Sequence, residues 1–144
     1  MKTILLIVLL FTTTIYAQKH ERIKAFKTAH ITNALDLTTA EAEKFWPIYN
    51  AHEEKMMVLR KTERREIFHI LKEDMDSLSD EDANILIEKG IKFKTTELQY
   101  HKDLVANLRG VIPPLKILEL RRTEEEFKRK LLGIMKKRRK NKKK

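Results

Sequence analysis

The stretch Leu35-Asp36-Leu37-Thr38-Thr39-Ala40-Glu41-Ala42-Glu43-Lys44-Phe45-Trp46-Pro47-Ile48-Tyr49-Asn50 decides the fold of this 144-residue chain. Thr38 offers a hydroxyl that can cap a helix start, and Glu41, three positions on, can reach back to complete a capping box. From Thr39 onward Ala42, Phe45, Tyr49, His52, Met56 and Leu59 recur at steps of three or four, the spacing of one helical face. Ile67, Ile70 and Leu71 resume the pattern after the charged run Arg60 to Glu66, which predicts one long helix. Pro47 lies inside it. A proline there removes a backbone hydrogen bond and crowds the preceding turn, so a kink is expected near Glu43 to Trp46.

Outward from this helix the same reasoning supplies its neighbours. On the N-terminal side Ile23, Phe26, His30 and Ala34 predict a short amphipathic helix from about Lys19 to Asn33. On the C-terminal side Asp74 to Leu78 break the periodicity, and Ser79 followed by Asp80, Glu81 and Asp82 predicts a new helix start. The apolar side of that helix is read as Ala83, Leu86, Gly90, Phe93, Leu98, His101, Leu104, Val105 and Leu108, with Gly110 ending it after Arg109. Two long helices and a short loop make an antiparallel hairpin. Pro113 and Pro114 then suit a turn and a first helical residue, and Leu115, Leu118, Thr123, Phe127, Leu131, Ile134 and Met135 predict a last helix. The expected fold is all-α, an extended four-helix arrangement built on a long antiparallel helical hairpin. Helices of about 30 residues run to about 45 Å, and so thin a layer buries little, which favours a homodimer.

The two ends of the chain differ from its middle. Lys2, the apolar run Ile4 to Phe11 and the small residue Ala17 have the layout of a signal peptide over residues 1–17, predicting export. The apolar run is about half the roughly 20 residues a membrane-spanning helix needs. Residues 18–144 have a length typical of one domain, expected to be helical over 18–135. The chain has no cysteine, so disulfide staples and thiol chemistry are excluded even for an exported protein. Its formal charge of +10 is concentrated: Lys136, Lys137, Arg138, Arg139, Lys140, Lys142, Lys143 and Lys144 hold eight positive charges with no acid among them. Setting these and Lys2 aside leaves 22 basic against 21 acidic side chains, a nearly neutral body. Residues 136–144, with nothing to bury, are expected to be a disordered basic tail.

The stretch Leu35 to Asn50 resembles the bacterial periplasmic proteins known as sensors of ECF-type sigma factors and, more distantly, the Spy/CpxP group. That group is marked by a Leu-Thr-x-x-Gln motif opening a helix. Here the motif corresponds to Leu37, Thr38, Thr39, Ala40 and Glu41, with glutamate in place of glutamine, followed by Phe45, Trp46, Pro47 and Tyr49. The nearest second copy is Ile112, Pro113, Pro114, Leu115 and Lys116, which keeps the helix start but neither threonine nor glutamine. The resemblance implies a hairpin-based four-helix fold, often a curved dimer, in the periplasm, serving envelope-stress sensing or the holding of unfolded clients.

The residues offer little chemistry beyond binding. There is no glycine-rich phosphate loop and no pattern of a nucleophilic triad, so an enzyme is not expected and no cofactor is implied. Of the five histidines no two lie three or four apart; His52, Glu53 and His101 are the best candidate metal ligands for the alternative of a metal-responsive sensor. Phe45, Trp46 and Tyr49 are read first as core and second as a client-binding surface. The basic tail would suggest nucleic acid in the cytosol. Export replaces that partner with anionic lipid or acidic client segments. An exported chain also cannot touch a cytosolic sigma factor, so any such signal must pass through a membrane signalling protein. The expected function is a non-enzymatic envelope-stress sensor or chaperone-like protein that binds unfolded or membrane-associated clients.

Overall fold

The structure, a computed structural model, describes residues 21–73 and 75–141, with only the backbone of Glu73. The signal-like segment 1–17 and Lys142, Lys143 and Lys144 lie outside the described residues. The fold is all-α, as expected. Helix α1 covers residues 21–34, α2 Thr39–Glu63, α3 His69–Glu73, α4 Asp80–Leu108 and α5 Pro114–Asn141; α3 is a short continuation of α2 beyond a π-helical turn, Arg64–Phe68. Among the described residues contacts group the chain into two compact units, 39–117, and 21–38 with 118–141.

The first unit is the hairpin. Its two arms meet at His52 with His101, Lys55 with Tyr100, Glu63 with Lys94, and Ile67 with Gly90. One set of numbers climbs while the other falls, which defines the arms as antiparallel. Phe45, Tyr49, Met56 and Ile67 are the buried residues of the first arm, spaced 4, 7 and 11 apart, so a helix of 3.6 residues per turn keeps them within one narrow stripe. Leu86, Leu104 and Leu108 answer from α4, and Ile112 closes the base. Each such side chain withdrawn from water contributes roughly 1.5–3 kcal/mol.

The helical run is unbroken across Pro47. The ring cannot donate to the carbonyl four residues back, at Glu43, and it lies on the exposed side. The interruption comes later, at the π-helical turn, where the His69 N–H donates to the carbonyl of Arg64, five residues back. Arg60 to Glu66 contains no apolar side chain to press a tight turn inward, and ion pairs take over across the hairpin. Lys94 Nζ lies 3.7 Å from Glu63 and Lys89 Nζ 3.7 Å from Glu66.

The expected helix signals at Ser79 and Gly110 are both in use. The Asp82 N–H donates to Ser79 Oγ at 3.1 Å, and the Ser79 hydroxyl donates to the Asp82 carboxylate at 2.6 Å. Gly110 follows α4 at φ 82°, in the left-handed region that side chains disfavour.

In the other unit α1 ends in a Schellman motif. The Leu37 N–H donates to Thr32 O and the Asp36 N–H to Asn33 O, with Asp36 at φ 45° in the position usually given to glycine. Ile31, Leu35, Leu120, Thr123 and Phe127 are buried there, and the Phe127 ring lies 5.3 Å from Phe26 and 5.8 Å from His30.

One expectation about the basic end is corrected. Sequence predicts disorder over 136–144, yet α5 continues to Asn141. Lysine and arginine are good helix formers, and positive charge in the last turn suits the negative end of the helix dipole, so absence of a core does not end the helix.

Candidate functional site

The residues singled out at the start of α2 separate into three environments. Leu37 is half-buried in the turn and Thr38 is exposed. Phe45 and Tyr49 are core: both are almost fully buried, their rings stacked with centroids 5.3 Å apart. Trp46 is half-buried and meets both edge-on, at 5.0 and 5.6 Å. These edge-on and stacked arrangements are those that aromatic quadrupoles favour. The aromatic cluster therefore sits inside the hairpin unit, and only Trp46 among the three leaves substantial surface to a partner.

Glu41 does more than its sequence position foretells. Lys116 Nζ donates to its carboxylate at 2.7 Å, and each side chain is about one-fifth exposed. Glu41 and Lys116 are the fifth residues of the two motif-like stretches, so the positions compared with glutamine in sequence meet as an ion pair between the first turns of α2 and α5.

Next to this base, a groove of about 340 Å³ runs between α2 and α4, lined by Pro47, His52, Lys55, Tyr100, Asp103 and Leu104, among others. Lys55 Nζ lies 5.7 Å from the centre of the Tyr100 ring, and Gln99 donates to Asp103 at 2.8 Å. His52 and His101 face each other with ring centroids 6.5 Å apart. Burial is the main force holding the His52 imidazole below its ordinary protonation range. His101 and Arg60 add to it, against the opposing pull of Glu53 and a hydrogen bond with the Tyr100 backbone. The hairpin thus brings two of the three candidate metal ligands side by side. Among the described residues no group of three or more histidine or carboxylate side chains is placed to share one ion.

A third environment is absent from the sequence reading. Ile87, Ile91 and Leu98 are each more than half exposed, and with Gly90, Lys94 and Thr95 they line a shallow depression of about 510 Å³ on α4. Beside it Ile85, with Glu81, Glu88, Lys89 and Lys92, lines another of about 750 Å³. Ile87, Ile91 and Leu98 fall within about 40° of one another around an α-helix, well away from the stripe of Leu86, Leu104 and Leu108. Leu98, read from sequence as part of the inner apolar side, therefore lies outside. The signal available is the run Ile85, Leu86, Ile87: successive residues on a helix point about 100° apart, so three in a row cannot share one buried face.

Lys136, Lys137, Arg138, Arg139 and Lys140 are all exposed on the last turns of α5. Among the described residues no helix is long and apolar enough to cross a membrane. No family model, characterised protein or solved structure matches the chain.

Proposed function

We propose that this chain is a non-enzymatic, exported helical protein that holds unfolded or membrane-associated client segments, in the manner of an envelope-stress sensor or chaperone. The observation that carries this reading is the outer face of α4. Ile87, Ile91 and Leu98 form an apolar stripe with no partner in the hairpin unit, bordered by charges of both signs, Glu88 beside Lys89, Lys92 and Lys94. Contiguous apolar surface of this kind marks an interaction site on a folded protein. The resemblance of Leu35 to Asn50 to periplasmic stress proteins and the signal-like residues 1–17 support the same reading, with the periplasm as its compartment.

The test is suppression of aggregation of a denatured client at low salt. The chain should slow aggregation, and the triple variant Ile87→Ser, Ile91→Ser, Leu98→Ser should lose most of that effect while keeping its helical circular dichroism. Suppression that is absent, or unchanged in the triple variant, would sink the proposal. Export is read separately, by the compartment and N-terminal residue of the accumulated protein; a chain beginning at Gln18 is the expected result.

The juxtaposition of His52 and His101 favours a second reading, a metal-responsive sensor. It requires stoichiometric heat with zinc, copper or nickel in calorimetry, lost in His52→Ala and His101→Ala. A blank titration removes it.

A further inference from the structure

Beyond Phe127 the character of α5 changes. From Lys128 to Asn141 it carries eight lysines and arginines and no acid, and between the two basic clusters stand Leu131, Leu132, Ile134 and Met135. Leu131 is half-buried, and Leu132, Ile134 and Met135 are 50%, 38% and 39% exposed. At about 100° per residue these four share an arc of about 160°, while Arg129, Lys130, Lys136, Lys137 and Lys140 occupy the opposite side. On the apolar side itself, Lys128 precedes the patch by a turn and Arg138 and Arg139 follow it. Their long stems lie along apolar surface and carry the charge outward. Gly133 falls among the basic residues, with open space around it.

We infer that this end of α5 is a docking helix for an anionic phospholipid surface, lying in the interfacial plane with Leu131, Leu132, Ile134 and Met135 turned into the acyl boundary. Two independent features select this partner. The cations, with no acid among them from Lys128 to Asn141, match a dense sheet of phosphates. The apolar patch needs a phase that excludes water directly beneath those phosphates, and a bilayer surface supplies both at the depth of one helix radius. A nucleic acid would satisfy the charges and leave Leu132, Ile134 and Met135 in water. Because the helix extends to Asn141, the charges are held at fixed angles around the patch, which a disordered tail could not do. This surface is distinct from the α4 stripe: one holds a client, the other holds the molecule at the membrane.

The absence of cysteine permits a site-specific test on the full chain. Met135→Cys and Lys137→Cys, on nearly opposite sides of α5, are each labelled with an environment-sensitive fluorophore and mixed with vesicles of phosphatidylcholine alone or with a third phosphatidylglycerol. The expected result is a several-fold brighter, blue-shifted signal from position 135 with anionic vesicles, little change at 137, and about tenfold weaker binding at high salt. Because the label reports position 135 alone, binding of the apolar N-terminal segment to either vesicle does not imitate this signal. The inference is overturned if both positions respond alike, if neither responds, if neutral vesicles act as well as anionic ones, or if soluble polyphosphate or RNA gives the same blue shift.

Discussion

The ion pair between Glu41 and Lys116 can be weighed by a double-mutant cycle. At 2.7 Å in a medium of effective dielectric about 20, the gross attraction is about 6 kcal/mol. Most of this is offset, because both groups give up water and both side chains give up rotamers. With about four-fifths of each side chain covered, the pair exceeds the roughly 0.2–1 kcal/mol of an exposed pair and approaches a charged hydrogen bond of about 1.5–3 kcal/mol. Glu41→Ala and Lys116→Ala should each cost about 2 kcal/mol, since each removes a charged hydrogen bond from a largely covered pair. The double variant should cost less than the two together by about 1–2 kcal/mol. Urea unfolding followed by the fluorescence of Trp46, the only tryptophan and one turn further along α2, reads the hairpin unit directly. A coupling energy below about 0.3 kcal/mol would refute the reasoning. So would its absence from a second cycle built on Glu41→Gln and Lys116→Met, which remove the charges at nearly constant volume.

Other outcomes follow from single positions. Gly90 sits mid-helix, and a Cβ there meets Ile67 Cδ1 at an ordinary 3.8 Å, so Gly90→Ala should raise stability by about 1 kcal/mol in a urea melt. Gly110→Ala meets no atom within 4 Å yet must adopt φ 82°, so it should cost about 1–2 kcal/mol through backbone strain alone. His30 Nε2 is buried with no hydrogen-bond partner, and its ring lies near Phe26 and Phe127, so His30→Leu should leave stability unchanged or raise it by about 1 kcal/mol. His52, held below its ordinary protonation range chiefly by burial, takes up its proton more readily when unfolded. Stability should therefore be indifferent to His52 above about pH 6.5 and fall as pH drops below it. His52→Gln should flatten that fall in urea midpoints compared at about pH 7.5 and about pH 5.5.

The helical hairpin is legible because its signals are local. Ser79 and Asp82 form their cap from adjacent chain, Gly110 ends α4 from its own φ, and the stripe of Phe45, Tyr49 and Met56 needs only the period of the helix. What sequence does not supply is which face of a helix finds a partner. Leu98, read with the inner face of α4, lies about 120° around the helix from Leu86 and Leu104 and is exposed. Leu115 and Leu118, expected as apolar contacts of the last helix, are the most exposed of the large apolar side chains among the described residues. The pairing of Glu41 with Lys116 depends on contact between residues 75 apart, beyond the reach of any local pattern. The helix through Lys136 to Asn141 escapes for the opposite reason: a basic run announces what it cannot bury and hides how readily it coils.

The polar seam where Lys94 meets Glu63 and Lys89 meets Glu66 divides the hairpin energetically. Toward its base Phe45, Tyr49, Leu104 and Leu108 are 0–3% exposed, whereas beyond the seam Ile67 and Leu86 remain at 8–9%. Amide hydrogens between Arg64 and Leu86 should therefore exchange through sub-global opening of the tip, and those around Tyr49 and Leu104 only on complete unfolding. A chain that frays at one end while its base stays closed can offer fresh apolar surface without losing its own integrity.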